Sequence, residues 1–375
     1  MNKITNQDSQ SISILRFPLA TMIVVLHSMN VENMNVNIPR ELYNASFTTT
    51  ILDILRVFFS RVLGHIVVPC FMIISGYLFF IKFEKWNWHL YKNKLQNRIK
   101  TLFIPYILWN IIPVLISLLW LRHENLISNY LNEIQETGIL NMFWSYRGMN
   151  EVSFFNIPIF CIGTPFNTPL WFLRDLIIFI LFSPIIFVLI KRVFYPILII
   201  LILWSLNGGN ADVYALMWFY IGASFSIKNI SISKFSTNSS RIIIPIFILS
   251  GSIKLFSFHE GDMLLWEKII HTLSIMSGIS TIFIIASKIK CQLSNRYKKY
   301  IASSSFLIYV LHMEFLWRSQ MFLEQLIFIN AKNNVWQAFA VYSISVFTTI
   351  AGLLITNFIM IKYFPRLNYI LTANR

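Results

Sequence analysis

The sequence predicts an all-α, polytopic integral membrane protein with about ten transmembrane helices. Three observations carry that prediction. Of the 375 residues 56% are hydrophobic and only 13% are charged, about half the charged fraction of a soluble domain, and mean hydropathy is +0.62. Long apolar spans recur from one end of the chain to the other. Basic residues gather in every second segment between those spans.

Taken in order, the apolar spans are 11–29, 62–81, 101–121, 169–190, 194–206, 212–227, 241–257, 264–287, 302–323 and 335–361. A helix needs about 20 apolar residues to cross the hydrocarbon core, so the fifth and sixth are short. The first span is not a removable leader. It lacks a basic n-region and a small-x-small cleavage site, and Arg16 lies inside it. The whole chain, 1–375, is expected to form one membrane domain, with short tails at 1–10 and 363–375 and no appended soluble domain.

Charge sets the orientation. With the N-terminus inside, the inner segments carry Lys3; Lys82, Lys85, Lys92, Lys94, Arg98 and Lys100; Lys191 and Arg192; Lys228, Lys234 and Arg241; Lys288, Lys290, Arg296, Lys298 and Lys299; and Lys362, Arg366 and Arg375. The only acids there are Asp8 and Glu84. The outer segments hold Arg40, Arg56, Arg61, Arg122, Arg147, Lys254, Lys268 and Lys332. This bias predicts cytoplasmic termini. The net charge of +15 is therefore topogenic. Spread over separate loops, it is no nucleic-acid footprint.

Cys70, Cys161 and Cys291 fall in a span, an outer loop and an inner loop. They can build no disulfide framework and lack metal-ligand spacing, so no metal is expected. The sizeable outer segments are Asn30–Arg61 and Arg122–Thr168. The second carries Phe143, Trp144, Tyr146, Phe154, Phe155 and Phe160, which suit headgroup anchoring or sugar stacking.

The costly residues are the ionisable ones inside spans. A charge at bilayer depth is disfavoured by about 2.5–3.5 kcal/mol on insertion scales. Arg16 and His27 both lie in the first span, eleven positions apart. At about 100° per residue they share a helix face, with a rise of about 16 Å between them. Pro18 removes one backbone bond and is expected to kink that helix. The orientation places His27, His65, Arg174, Asp175, His271, His312, Glu314 and Arg318 in one band from mid-membrane to the outer surface. Glu314 and Arg318 are spaced to pair with each other. Arg174 and Asp175 are adjacent, so separate partners are expected. A polar band alone fits a transporter as well as an enzyme.

Local sequence narrows the choice. Leu15-Arg16-Phe17-Pro18, followed by Val24-Val25-Leu26-His27-Ser28, resembles the Arg-x10-His helix of the membrane acyltransferase-3 family. Four further segments are similar to that family in the same order. Pro69-Cys70-Phe71-Met72-Ile73-Ile74-Ser75-Gly76-Tyr77-Leu78 resembles its Phe-x-x-Ser-Gly-aromatic-Leu segment, with one extra residue before Ser75. Arg98-Ile99-Lys100-Thr101-Leu102-Phe103-Ile104-Pro105-Tyr106 resembles its Arg-x-x-Arg-Leu-x-x-Pro-Tyr segment, with Thr101 at the second Arg. Pro169-Leu170-Trp171-Phe172-Leu173 and Ser305-Phe306-Leu307-Ile308-Tyr309-Val310-Leu311-His312 match its Leu-Trp-Phe-Leu and Ser-Phe-x-Ile-Tyr-x-x-His segments. The similarity spans residues 15–312.

The resemblance implies an integral enzyme of the bacterial cytoplasmic membrane, surrounded by membrane lipids. It would move an acyl group, usually acetyl, from a coenzyme A thioester to a hydroxyl of a surface or exported carbohydrate. His27 is then the general base, activating a poor hydroxyl nucleophile. Arg16 holds phosphate of acyl-CoA, acetyl-CoA foremost, in bidentate fashion, with Arg98 and Lys100 adding attraction from the inner loop. Arg174 or His312 would supply the oxyanion donor, and Trp171 and Tyr309 are further substrate candidates. A covalent acyl-His route stays open. The alternatives are a polysaccharide or lipid-linked-sugar transporter, for which matching broken half-repeats are not seen, and a small-molecule sensor or structural membrane protein, which would not require Arg16 and His27 together.

Overall fold

The computed structural model describes residues 4–28, 54–55, 57–123, 135, 138–145, 152–154, 157–159, 163–206, 211–256, 264–289, 294–327 and 335–372. Most of the segments 30–61 and 122–168, expected on the outer side, together with Cys161 and Cys291, lie outside the described residues.

The described chain is helical apart from one small hairpin. Its elements in order are α1 Asn6–Ser28, a π-helical turn Phe58–Gly64 leading into α2 His65–Phe80, α3 Trp88–Arg98, a second π-helical stretch Ile99–Phe103, α4 Ile104–His123 and α5 Ile139–Trp144. Strands β1 Val152–Phe154 and β2 Ile157–Ile159 pair antiparallel, Ser153 opposite Pro158. Then come α6 Trp171–Leu181, α7 Ser183–Leu206, α8 Ala211–Ile227, α9 Ile232–Asn238, α10 Ser240–Phe256, α11 Leu265–Lys288, α12 Asn295–Ile327, α13 Val335–Tyr363 and α14 Pro365–Leu371.

Among the described residues six helical stretches are long and apolar enough to cross a membrane: Asn6–Ser28, Phe58–Phe80, Trp88–Leu115, Ser183–Leu206, Leu265–Lys288 and Phe339–Tyr363. The protein is thus an integral membrane protein by these helices, but ten spans are not reached on length and composition. The expected spans at 212–227 and 241–257 are helices of 17 residues each, and the one at 302–323 lies within the 33-residue α12, which also carries charged residues.

The region 169–206 is divided differently from the expectation, and proline explains it. The chain leaves helix at Phe182, two residues before Pro184, so α6 stops after 11 residues. The stretch labelled α7 is itself two helices joined across non-helical Val193 (φ −138°, ψ 42°), directly after Lys191 and Arg192, where the expected break between spans falls. Pro196 lacks an N–H and its ring crowds the carbonyl four residues back, which breaks the ladder at that point. By contrast α1 continues through Pro18.

The helices fall into two compact units. The first comprises Lys3–Phe71 and Asn229–Lys362. In it Asp8, fully buried, accepts from the Ser231 hydroxyl (3.0 Å) and the Ser233 amide (2.9 Å), anchoring the start of α9 to α1. Asn357 on α13 donates to Ser303 (3.0 Å) and Ser304 (2.7 Å) on α12. The second comprises Met1–Asn2, Met72–Lys228 and Tyr363–Arg375. There Lys94 on α3 donates to the carbonyl of Phe79 in the last turn of α2 and to that of Ile81 just beyond it, the latter at 2.7 Å. One lysine of the basic segment Lys82–Lys100 is thereby committed to a helix cap. Phe79, Phe80, Phe83, Trp86 and Phe187 pack ring on ring beside it.

Candidate active site

Helix α1 buries Asp8, Ser11, Ile12, Leu15, Leu19, Ala20, Ile23, Val24 and Ser28, a stripe at helical spacing. Near its end Ala20 and Val24, both fully buried, pack against Ile308 and Leu316 of α12 and Leu353 of α13. Small Ala20 lets α12 come close. His312 lies one turn from both Ile308 and Leu316, and His27 one turn beyond Val24, so the same apolar contact brings the two imidazoles together. Their ring centroids are 5.1 Å apart, with planes at 31°.

The tautomer of His312 is fixed by its own helix. Its Nδ1 lies 2.8 Å from the Tyr309 carbonyl and 3.2 Å from that of Ile308. Carbonyls only accept, so Nδ1 carries the hydrogen and Nε2 of the neutral ring carries a lone pair. His312 is 1% exposed, and its Nε2 and His27 Nδ1 are buried with no hydrogen-bond partner among the described residues. Buried polar atoms are nearly always satisfied, so both nitrogens are left able to meet a bound group. Tyr309, half-buried, contributes its carbonyl to this arrangement and packs its ring 6.3 Å from Phe306.

Arg16 and His27 on α1 are both half-buried. Among the described residues Arg16 has neither an ion pair nor a hydrogen bond. An unpaired guanidinium inside a span is costly unless an anion meets it.

Arg174 behaves otherwise than expected. It does not diverge from Asp175: its Nε (2.9 Å) and one terminal nitrogen (2.8 Å) both donate to Asp175 Oδ1. That nitrogen also donates to Asp212 at 3.0 Å, while the other donates to the carbonyls of Trp144 (2.7 Å) and Gly163. All five N–H groups of the guanidinium are then used, and none is left for an oxyanion. Adjacent positions do point apart on a helix, but the arginine side chain is long enough to fold back. Asp212, in the first turn of α8, had no sequence signal beyond its place beside an apolar run.

Trp171 opens α6, half-buried and edge-on to Phe172 at 6.4 Å. Arg98 closes α3, and Lys100, exposed, follows in the π-helical stretch. These three and Arg174 belong to the second unit, whereas Arg16, His27, Tyr309 and His312 belong to the first. Within the first unit the polar band resolves into separate groups. Glu314 and Arg318 form the expected pair at 3.5 Å, both about half exposed. His65 meets His271, ring centroids 5.0 Å apart.

Comparison with known proteins adds an independent line. A family model described as "Acyltransferase domain" matches residues 9–357. The chain is 27% identical over 240 residues to the succinoglycan biosynthesis protein ExoH of Rhizobium meliloti (strain 1021), an alignment covering 61% of this chain and 59% of that protein. It thus spans somewhat under two thirds of the relative's length. No solved structure matches.

Proposed function

The chain belongs to the acyltransferase family whose model covers residues 9–357, and from that membership we propose that it is a membrane O-acyltransferase acting on a carbohydrate. It moves an acyl group, acetyl in the simplest case, from acyl-CoA to a hydroxyl of a cell-surface or exported glycan. The similarity to a succinoglycan biosynthesis protein supports a polysaccharide acceptor. The basic inner segments support a place in the bacterial cytoplasmic membrane with both termini cytoplasmic. The observation that carries the reading is the pair of half-buried His27 and buried His312, each with a buried nitrogen lacking a partner among the described residues, His27 sharing α1 with Arg16.

His27 accepts the proton of the acceptor hydroxyl as that oxygen attacks the thioester carbonyl. The bond from carbon to sulfur then breaks, and the same proton leaves with the thiol. His312 starts neutral, with its hydrogen on Nδ1 and no donor at Nε2. The imidazole pair becomes a donor only on gaining the hydroxyl proton, so it offers stabilisation as the oxyanion develops. Arg16 holds a phosphate of the acyl donor through its planar fork. Arg98 and Lys100 add longer-range attraction for the same polyanion. With its donors already committed, Arg174 takes no part in this scheme beyond holding its own unit together.

Transfer by the purified protein is the test. In detergent, with isotopically labelled acetyl-CoA and fragments of bacterial polysaccharide, free thiol should appear together with glycan carrying one labelled acetyl per thiol. A protein that moves the same glycan across proteoliposomes without modifying it is a transporter, and that result contradicts the proposal.

A further inference from the structure

In the second unit the enclosed Arg174 holds two groups that are themselves open to the surroundings. Its guanidinium lies over the Trp144 ring, 5.7 Å from the centroid and within cation–π range. One terminal nitrogen donates to the Trp144 carbonyl at 2.7 Å, the other to Asp212 Oδ1 at 3.0 Å. Arg174 is 3% exposed and Asp212 21%, whereas Trp144 is 46% exposed. An indole face and a carboxylate thus stand on either side of one buried cation.

The backbone around Trp144 is held from several sides. The Tyr106 hydroxyl on α4 donates to the Phe143 carbonyl. The Gly163 amide donates to Ser145 Oγ at 2.8 Å, and the Phe166 amide to the Met142 carbonyl at 2.8 Å. A ring anchored in this way loses little freedom when a ligand meets it.

The cluster is short of donors. Every N–H of Arg174 is taken, and one nitrogen serves both Asp175 Oδ1 and Asp212 Oδ1, so the buried carboxylate faces the same point as the exposed one. Asp175, 1% exposed, has Oδ2 buried with no partner among the described residues. Among those residues Asp212 accepts from Arg174 alone. A bound group must therefore bring donors. A metal cation is opposed by the guanidinium in contact with both carboxylates, and an anionic headgroup by the carboxylates themselves. Neutral hydroxyls beside an apolar C–H face meet neither objection, and a pyranose ring carries both. Its C–H face suits the indole, and its hydroxyls donate to the carboxylate in charge-assisted bonds.

We infer that Trp144 and Asp212 form a subsite for one sugar ring of the acceptor glycan. That the sugar belongs to the acceptor rests on the acyltransferase reading; that the site takes a sugar rests on its own chemistry.

The probe is a pool of oligosaccharides released from the surface polysaccharide of the native host and deacylated with mild alkali. It is titrated calorimetrically into the full-length protein, held in a detergent whose headgroup is not a sugar. Saturable binding is expected, weakened about tenfold or more by Trp144→Ala and by Asp212→Asn and largely kept in Trp144→Phe. In steady-state transfer to the same pool, KM for the acceptor should rise by the same factor while kcat stays within about twofold, a split that a purely structural defect would not give. Trp144→Ala should fold, because Arg174 and Tyr106 grip the main chain there, and Asp212→Asn keeps an oxygen for Arg174. If wild type transfers acyl groups and both variants match it in binding and KM, the subsite is overturned and the acyltransferase reading stands. Trp144-dependent binding with no transfer by wild type does the reverse. No binding of the pool by wild type overturns the subsite.

Discussion

His27→Ala is expected to lower acyl transfer by about 10²–10⁴-fold, the usual contribution of a positioned general base, while leaving the amount of protein in the membrane unchanged. The stability side of this expectation follows from packing. His27 is half-buried and makes no hydrogen bond through Nδ1 among the described residues, and the contact of α1 with α12 rests on Ala20, Val24, Ile308 and Leu316. Removing the ring therefore removes a reactive group without removing the support beneath it. His312→Ala should be less well tolerated, because its ring is enclosed and tied to two carbonyls of its own helix. Mass spectrometry of labelled glycan, normalised to protein abundance, reads both. Normal acylation by His27→Ala at normal abundance removes His27 from the chemistry.

The largest expected effect on folding is at Gly76. A Cβ there would lie 2.2 Å from the Phe219 carbonyl oxygen and 2.9 Å from the Ala223 amide nitrogen. Its counterpart on α8 is Gly222, whose Cβ would lie 2.1 Å from the Ile73 carbonyl oxygen. Both obstacles are backbone, so no rotamer change relieves them. Alanine is worth about 0.5–1 kcal/mol over glycine in a helix, whereas overpacking typically costs 1–3 kcal/mol, occasionally more. The steric term wins at Gly76 and Gly222, and either alanine variant should melt well below the wild type or fail to accumulate. At Gly352 the nearest atom to a new Cβ is in the Phe315 ring at 3.6 Å, an ordinary contact. Propensity should win there, leaving Gly352→Ala at or above the wild type. Tryptophan-fluorescence melting in one detergent orders the three variants. Gly76→Ala melting with Gly352→Ala contradicts the close approach of α2 and α8.

The Ser75-Gly76-Tyr77 segment, met first as a family resemblance, thus has a physical reason. It is where two helices touch through their backbones. Other features were legible for similarly local reasons. The first helix follows from its apolar run, and the Glu314–Arg318 pair follows from i,i+4 spacing. What sequence could not convey was long-range pairing. That His27 meets His312, and His65 meets His271, depends on which helices are neighbours. Depth along the membrane narrows that choice without settling it. Arg174 was read as an oxyanion donor because an intramembrane arginine looks available, but Asp212 and two carbonyls distant in sequence occupy it. Lys94 and Asp8, counted only as topogenic or tail charges, turn out to cap helices. The break at Val193 was legible in the basic pair Lys191–Arg192 just before it, and Pro196 supplies its physical cause.

The central claim is a division of labour on one helix, with Arg16 holding the donor and His27 moving the proton. Arg16→Lys keeps the charge but loses the fork. Loss of a charge-assisted hydrogen bond costs about 1.5–3 kcal/mol, which should weaken donor binding about 10- to 150-fold. His27→Gln should leave donor binding within about twofold of wild type while turnover at saturating donor falls. The deciding measurement is calorimetric titration of wild type, Arg16→Lys and His27→Gln with a non-transferable acyl-CoA analogue. The account predicts weakened binding for Arg16→Lys alone. Binding lost in His27→Gln and kept in Arg16→Lys contradicts it.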